Sequence, residues 1–270
     1  MVKTYGCLYQ DTRRALLETE TPEDAGVLAR MLICHVSGKD HARFLADRDL
    51  YAGEDIVEGV ENGLKRLLAG EPIAYILGQW EFYGLPMVVS PKVLIPRDDT
   101  CAVAELAIKQ ALFLDKAPRI LDLCCGTGCI GLAVAKENVA LNKLTGRVRC
   151  VQADALKPAF PFLGKFDLIV SNPPYITAQE MLELPVSVKD YEPHLALFGG
   201  EDGLDFYRSI VKNFAPALKP GGFLCFEFGM GQGDDVCRIL RDNGYTILER
   251  TRDYNDRERA VLAQYGRKEV

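Results

Sequence analysis

Apolar residues recur at helical spacing up to about residue 70. Thr21-Pro22-Glu23-Asp24 supplies a capping hydroxyl, a proline at the first helical position and early acids, and Leu28, Met31, Leu32 and Val36 follow on one face. Ile56, Val60, Leu64, Leu67 and Leu68 predict another helix from about Glu54 to Leu68, stopped at Gly70. The acids and arginines fall on the opposite, solvated faces. Residues 1–75 therefore read as a small helical bundle without chemistry of its own, the kind of module that binds a partner.

The pattern changes at Glu71-Pro72. Residues 74–89 are rich in aromatic and β-branched side chains with glycines between short runs, which predicts a β-hairpin linker over 76–91. Beyond Pro91 and Pro96, a helix carries Val103, Leu106, Ala107 and Leu112. From Arg119 onward, buried strands at Ile120–Leu123, Phe166–Val170 and Gly222–Glu227 alternate with helices near 203–218 and 232–243. That alternation predicts a parallel sheet with helices on both faces, so residues 92–270 read as an α/β domain.

Composition narrows the class. The 270 residues, 48% of them hydrophobic and 26% charged, can build a large core without disulfides. Thirty-eight acids against thirty-two bases give a net charge of −6, which argues against a broad nucleic-acid-gripping surface. No apolar run approaches the ~20 residues of a membrane span. The start, MVKTYGCLYQDTRR, lacks the apolar stretch of a signal peptide, so a cytoplasmic protein is expected. The nine cysteines form no CxxC pair, and Cys124, Cys125 and Cys129 have no nearby histidine in sequence; free thiols, not a metal site, are expected.

Two segments carry chemistry. In Leu121-Asp122-Leu123-Cys124-Cys125-Gly126-Thr127-Gly128 a strand runs into a glycine turn and then a helical pattern, at the strand end where open parallel sheets bind ligands. Alone, this pattern serves equally to bind a ligand or to turn the chain. Ser171-Asn172-Pro173-Pro174-Tyr175 is sharper. Its prolines fix φ and offer no N–H, so the Asn172 side-chain carbonyl and the Pro173 carbonyl can accept both hydrogens of one planar amino group, with Tyr175 as a stacking face. An amide or exocyclic amine is a poor nucleophile. Holding it by both hydrogens raises electron density on nitrogen and aims it at an electrophile.

An Asp-Leu-x-x-Gly-Thr-Gly loop followed by Asn-Pro-Pro-Tyr resembles S-adenosylmethionine-dependent methyltransferases acting on planar nitrogens. Further segments are similar to the bacterial release-factor glutamine methyltransferases: Glu71-Pro72-Ile73-Ala74-Tyr75-Ile76-Leu77-Gly78, Glu81-Phe82-Tyr83-Gly84-Leu85, Leu94-Ile95-Pro96-Arg97-x-Asp99-Thr100, Tyr191-Glu192-Pro193, Gly199-Gly200-x-Asp202-Gly203-Leu204 and Arg252-Asp253-Tyr254. The resemblance implies a helical domain that docks a peptide chain release factor and a Rossmann-like domain that uses S-adenosyl-L-methionine. It implies methylation of the side-chain amide of the glutamine in a Gly-Gly-Gln motif. Asn172, Pro173, Pro174 and Tyr175 would hold that amide. Asp122, Cys124, Cys125, Gly126, Thr127 and Gly128, with Asn172, would lie along the methionine part of the cofactor, and Asp154 and Ala155 near its adenine. Phe82 and Arg97 match segments that close over the substrate pocket, whereas His194 reads as structural.

Three positions depart from the family pattern. Cys124 replaces the first loop glycine, so its φ is negative or its backbone is strained. Cys101 stands where a glutamate is usual. From Gly128 to Arg149 one helical pattern runs on, with no second strand ending in the acid that holds the cofactor ribose; roughly two dozen residues are absent, and Glu137 is the only carboxylate in the interval. Each lost charge-assisted hydrogen bond is worth about 1.5–3 kcal/mol, so cofactor affinity is expected to fall more than tenfold, and the first strand to lose a neighbour. Two rival readings stay open: methylation of adenine or cytosine amino groups in DNA, which the net acidity and the absence of a basic target-reading domain oppose, and a degenerate protein that binds release factors without methylating them, which the missing strand favours.

Overall fold

The computed structural model describes residues 3–114, 118–128, 149 and 151–266. The expected loss of the second strand, together with Glu137, falls on residues 129–148 and lies outside the described residues.

The chain divides into two compact units, one of Met1–Gly78 with Val186–Tyr191, the other of Gln79–Pro185 with Glu192–Val270. In the first unit the helices are α1 (Tyr5–Leu16), α2 (Pro22–Ser37), α3 (His41–Ala46), α4 (Glu54–Leu68) and α5 (Ile73–Leu77). Helix α2 begins as its sequence dictates: the Thr21 hydroxyl accepts the Asp24 backbone N–H at 3.2 Å, and Gly38 ends it in the left-handed region at φ 66°. Leu8, Leu32, Ile33, Phe44 and Val60 close the core of this unit. The distant segment Val186–Tyr191 joins it, and the Tyr191 hydroxyl donates to the Ala69 carbonyl at 2.9 Å.

The second unit opens with a hairpin of β1 (Gln79–Phe82) and β2 (Leu85–Val88). Its two turn residues, Tyr83 at φ 52° and Gly84 at φ 76°, both take the positive φ that matches the twist of a tight hairpin. A five-stranded sheet follows in the order β3 (Ile120–Leu123), β4 (Phe166–Ser171), β5 (Leu218–Glu227), β7 (Glu258–Tyr265), β6 (Tyr245–Arg252). Strands β3, β4 and β5 are parallel, but β7 runs antiparallel to both of its neighbours. The three strands expected from the sequence pair in parallel as expected, and β6 and β7, which that reading did not include, make the sheet a mixed one. The five residues 253–257 that join β6 to β7 are too few for a crossover and permit only antiparallel pairing.

The sheet packs on both faces with a period of two. Leu168, Val170, Cys225, Ala260 and Leu262 meet the α6 helix (Cys101–Leu112) through Ala102, Val103 and Leu106. Ile169, Leu224, Phe226, Val261 and Ala263 meet Tyr207 and Ile210 of the helix Asp205–Asn213 and Val236 and Leu240 of the helix Gly233–Asp242. This unit is Rossmann-like α/β, and the first unit is helical. No helix among the described residues is long and apolar enough to cross a membrane.

Candidate active site at the carboxyl ends of the strands

Register builds the site. Leu123 lies opposite Ser171, and Ser171 opposite Phe226, so β3, β4 and β5 end at one level. The segment Cys124–Gly128, the corner Asn172–Tyr175 and Glu227 leave the sheet side by side, at the edge where open α/β sheets bind ligands. The Ser171 hydroxyl donates to the Leu123 carbonyl at 2.7 Å and ties the first two together.

In the glycine loop Gly126 has φ 53°, and a Cβ built there meets none of the described residues within 4 Å. The Gly128 N–H donates to the Cys125 carbonyl at 2.6 Å, and Thr127 is buried. Cys124 takes the strained alternative of the two: its φ is 57°, a left-handed conformation that costs an L-residue about 1–2 kcal/mol. Burial pushes its thiol up to about 12 against the hydrogen bond with Ser171, so the sulfur stays neutral and is no nucleophile. The described cysteines are free thiols, and no metal-holding group of His, Cys, Asp or Glu occurs among the described residues.

In the corner, the Asn172 Nδ2 donates to the Thr100 hydroxyl at 3.2 Å. Among the described residues, nothing donates to the Asn172 Oδ1 or to the Pro173 carbonyl. The backbone behind is clamped: Gln232 Nε2 donates to the Tyr175 carbonyl at 2.9 Å, and Gln232 Oε1 accepts the Gly229 N–H at 2.9 Å. The Gly-Gly-x-Asp-Gly motif is the other jaw. A Cβ on Gly199 would stand 2.6 Å from the Pro174 carbonyl oxygen, and one on Gly203 2.3 Å from the Tyr175 carbonyl oxygen, so only glycine lets that loop lie flat on the corner.

Beneath the corner lies a buried polar cluster. Arg259, held within β7, donates to Asp99 at 2.8 Å and to Asp253 at 3.3 Å, while Asp253 also accepts the backbone N–H groups of Asn255 at 2.8 Å and Arg257 at 3.0 Å. Glu227 is 1% exposed, and its Oε2 has no hydrogen-bond partner among the described residues. Burial pushes the Glu227 carboxyl up to about 7, against hydrogen bonding from Thr100 and Tyr175 and the charge of Arg259, with Asp99 adding to the rise. A carboxyl whose folded value exceeds its ordinary one contributes full stability below about 4.5, which is lost as pH climbs through about 7. The melting temperature of Glu227→Gln minus that of the parent chain should therefore grow by about 5 °C between pH 4 and pH 8, measured by calorimetric scans. A pH-independent difference would show that Glu227 is neutral or solvated throughout.

The remaining candidates fall in varied places. Phe82 is buried on β1. Arg97 pairs with the buried Glu192, whose other oxygen accepts the Ile95 N–H at 3.2 Å, and this anchors the segment leading to Thr100. The Asp154 carboxylate accepts the Leu156 N–H at 3.0 Å and lies 3.5 Å from Lys157, within its own turn, while the Ala155 carbonyl accepts the Ser209 hydroxyl at 2.9 Å. His194 lies beside Phe198, ring centroids 6.2 Å apart. Thr100, Glu227 and Arg259 were not among the residues the sequence singled out. An acid closing the apolar run Phe223-Leu224-Cys225-Phe226-Glu227 was the available signal, because carboxylates are almost never fully buried without a task.

Comparison with known proteins adds a lineage to this geometry. A family model described as the PrmC N-terminal domain matches residues 8–78. The release factor glutamine methyltransferase of Vibrio cholerae serotype O1 is 39% identical over 257 residues, covering 88% of this chain and 88% of the relative. That of Geobacter sulfurreducens is 35% identical over 273 aligned residues, covering 95% of each. Among solved structures, the hMettl16 catalytic domain shares the fold at a TM-score of 0.52 and 18% identity, over 70% of this chain and 78% of that one. With such identity sustained along nearly its whole length, the chain belongs to the release factor glutamine methyltransferase family.

Proposed function

We propose that this chain methylates the side-chain amide nitrogen of the glutamine in the Gly-Gly-Gln motif of a peptide chain release factor, with S-adenosylmethionine as the methyl donor. The observation that carries the reading is the pair of acceptors without a protein donor, Asn172 Oδ1 and the Pro173 carbonyl, on a clamped corner next to the glycine loop. They would accept the two amide hydrogens, fix the plane of the carboxamide and concentrate electron density on its nitrogen, with Tyr175 beneath the flat group. As the bond from nitrogen to the methyl carbon forms, the carbon–sulfur bond of the donor would break, and the now cationic nitrogen would then lose one proton to solvent. Positioning does the catalysis, without a covalent enzyme intermediate.

The loop suits the cofactor's methionine part, since no described residue stands within 4 Å of where a Cβ at Gly126 would lie, leaving the backbone accessible as a cradle requires. Asp122, Cys124, Cys125, Gly126, Thr127 and Gly128 would hold that part, and Asp154 with Ala155 the adenine end. When bound, S-adenosylmethionine supplies a methyl group on a cationic sulfur.

The helical unit would dock the release factor. It carries a recess of about 190 Å³ floored by Tyr9 and Phe44 and bordered by Arg30, His41 and Arg48, none of which forms an ion pair among the described residues. Two arginines, Arg30 and Arg48, without an ion pair among the described residues on an acidic chain favour an acidic protein surface as the occupant. The double variant Arg30→Glu/Arg48→Glu should raise KM for the release factor about tenfold and leave kcat within twofold, in steady-state assays. An unchanged KM would remove the recess from the docking surface.

Transfer of tritiated methyl tests the whole reading. Label should reach release factor, disappear when its Gly-Gly-Gln glutamine is replaced, and stay off duplex DNA. Label on DNA would favour the nucleic-acid reading, and no label at all the degenerate binding protein.

A further inference from the structure

A corner can position an amide only if its own backbone does not turn, and its residues differ in that respect. The rings of Pro173 and Pro174 fix their φ, and a following proline confines Asn172 and Pro173 to extended ψ. Tyr175 is the first residue beyond them with both angles free, so nothing within the corner itself directs its ring. In the structure a carboxamide supplies the restraint. Gln232 Nε2 donates to the Tyr175 carbonyl at 2.9 Å while Gln232 Oε1 accepts the Gly229 N–H at 2.9 Å, so one side chain ties the corner to the turn after β5. The mount is firm: the Gln232 N–H donates to the Gly229 carbonyl at 3.1 Å, and the Gln232 carbonyl accepts the Val236 N–H at 3.0 Å in the first turn of the helix Gly233–Asp242.

We propose that Gln232 is a positioning residue for the methyl-accepting amide: it sets the plane of the peptide after Tyr175, and with it the direction of the tyrosine ring beneath the substrate group. The inference rests on the role given above to the corner Asn172–Tyr175. The surrounding backbone is shaped to this tie. A Cβ on Gly203 would stand 2.3 Å from the Tyr175 carbonyl oxygen and 2.5 Å from Gln232 Nε2, the two ends of the hydrogen bond itself. A Cβ on Gly229 would stand 2.8 Å from Gln232 Oε1 and 2.9 Å from Tyr175 Cδ2. The glycine that donates to the carboxamide therefore also abuts the edge of the ring, and a larger residue at either position would displace both partners. The other ties of the corner lie elsewhere: the Ser171 hydroxyl donates to the Leu123 carbonyl at 2.7 Å before it, and the Ile176 N–H to the Leu197 carbonyl at 3.0 Å after it. A carboxamide has a donor at one end and an acceptor at the other, as the Tyr175 carbonyl and the Gly229 N–H require. A carboxylate of the same shape would set a second acceptor against the Tyr175 carbonyl.

The test compares Gln232→Glu, Gln232→Met and Gly229→Ala in the full chain by steady-state methylation of release factor, with native folding checked by melting and S-adenosylhomocysteine affinity by calorimetry. Gln232→Glu keeps the shape and the acceptor but loses the donor, Gln232→Met keeps the length and loses both, and Gly229→Ala pushes on the ring edge directly. Each should lower kcat about 10–100-fold, with KM for the release factor within about threefold and affinity for S-adenosylhomocysteine within twofold of the parent. In a Tyr175→Ala background no ring remains to be directed, so the Gln232 variants should lose most of their effect on kcat. Parent-like kcat in Gln232→Glu, full additivity with Tyr175→Ala, or a loss of S-adenosylhomocysteine affinity as large as the loss of rate would overturn the inference. If Gln232→Met does not fold, the isosteric Gln232→Glu and Gly229→Ala decide. Should Asn172→Ala lose its rate while the Gln232 variants keep theirs, the inference falls alone; should Asn172→Ala also keep the parent rate, it falls together with the reading of the corner.

Discussion

Asn172→Ala is expected to lower kcat about 10²–10³-fold and to weaken S-adenosylhomocysteine binding by less than about tenfold. The substitution removes one of the two acceptors without a protein donor and, with it, the hydrogen bond to Thr100 at 3.2 Å. The Pro173 carbonyl alone cannot fix the plane of an amide that turns about a single hydrogen bond. Because the backbone is clamped from behind by Gln232 and by the close approach of Gly199 and Gly203, the corner keeps its shape, and the loss should appear in kcat and not in folding. Single-turnover kinetics with saturating release factor would measure it. A variant within threefold of the parent rate would mean that Asn172 does not orient the substrate.

The second large effect is on stability. Arg259→Met should destabilise the chain by about 3–5 kcal/mol, because it leaves Asp253, with 1% of its side chain exposed, facing Asp99 without the guanidinium between them. That loss corresponds to a fall of roughly 10 °C in melting temperature. Losing the cation also pushes the Glu227 carboxyl further up, since Arg259 is one of the groups that lower it. Urea denaturation at pH 8 provides the check. A loss below about 1 kcal/mol would show that water reaches the cluster and screens it.

What the sequence disclosed tracks the range of the interactions concerned. Helix α4 spans Glu54–Leu68 because a local repeat of apolar residues defines it. The corner at Asn172–Tyr175 was legible for the same reason, its conformation being set by adjacent prolines. Its supports were not: Asn172 reaches back 72 positions to Thr100, Arg97 reaches 95 to Glu192, and Arg259 reaches 160 to Asp99. The motifs containing Arg97, Gly199 and Asp253 were visible as strings, but what they do, an ion pair, a close backbone approach and the seating of Arg259, depends on chain segments far away. Strand β6 was overlooked because Glu249, Arg250 and Arg252 interrupt its apolar run, although every second residue is turned inward. Cys124 was legible only as a choice between two conformations, and the turn after β3 selects the strained one.

One measurement tests the central claim most directly: mass spectrometry of a release factor after incubation with the full chain and S-adenosylmethionine, run in parallel with Asn172→Ala. A corner that grips a carboxamide by both hydrogens predicts a single added methyl on the side chain of the Gly-Gly-Gln glutamine, reduced at least a hundredfold in rate by the variant. A methyl on any other residue, an undiminished yield with Asn172→Ala, or an unmodified factor from a chain that demonstrably binds S-adenosylhomocysteine would contradict it.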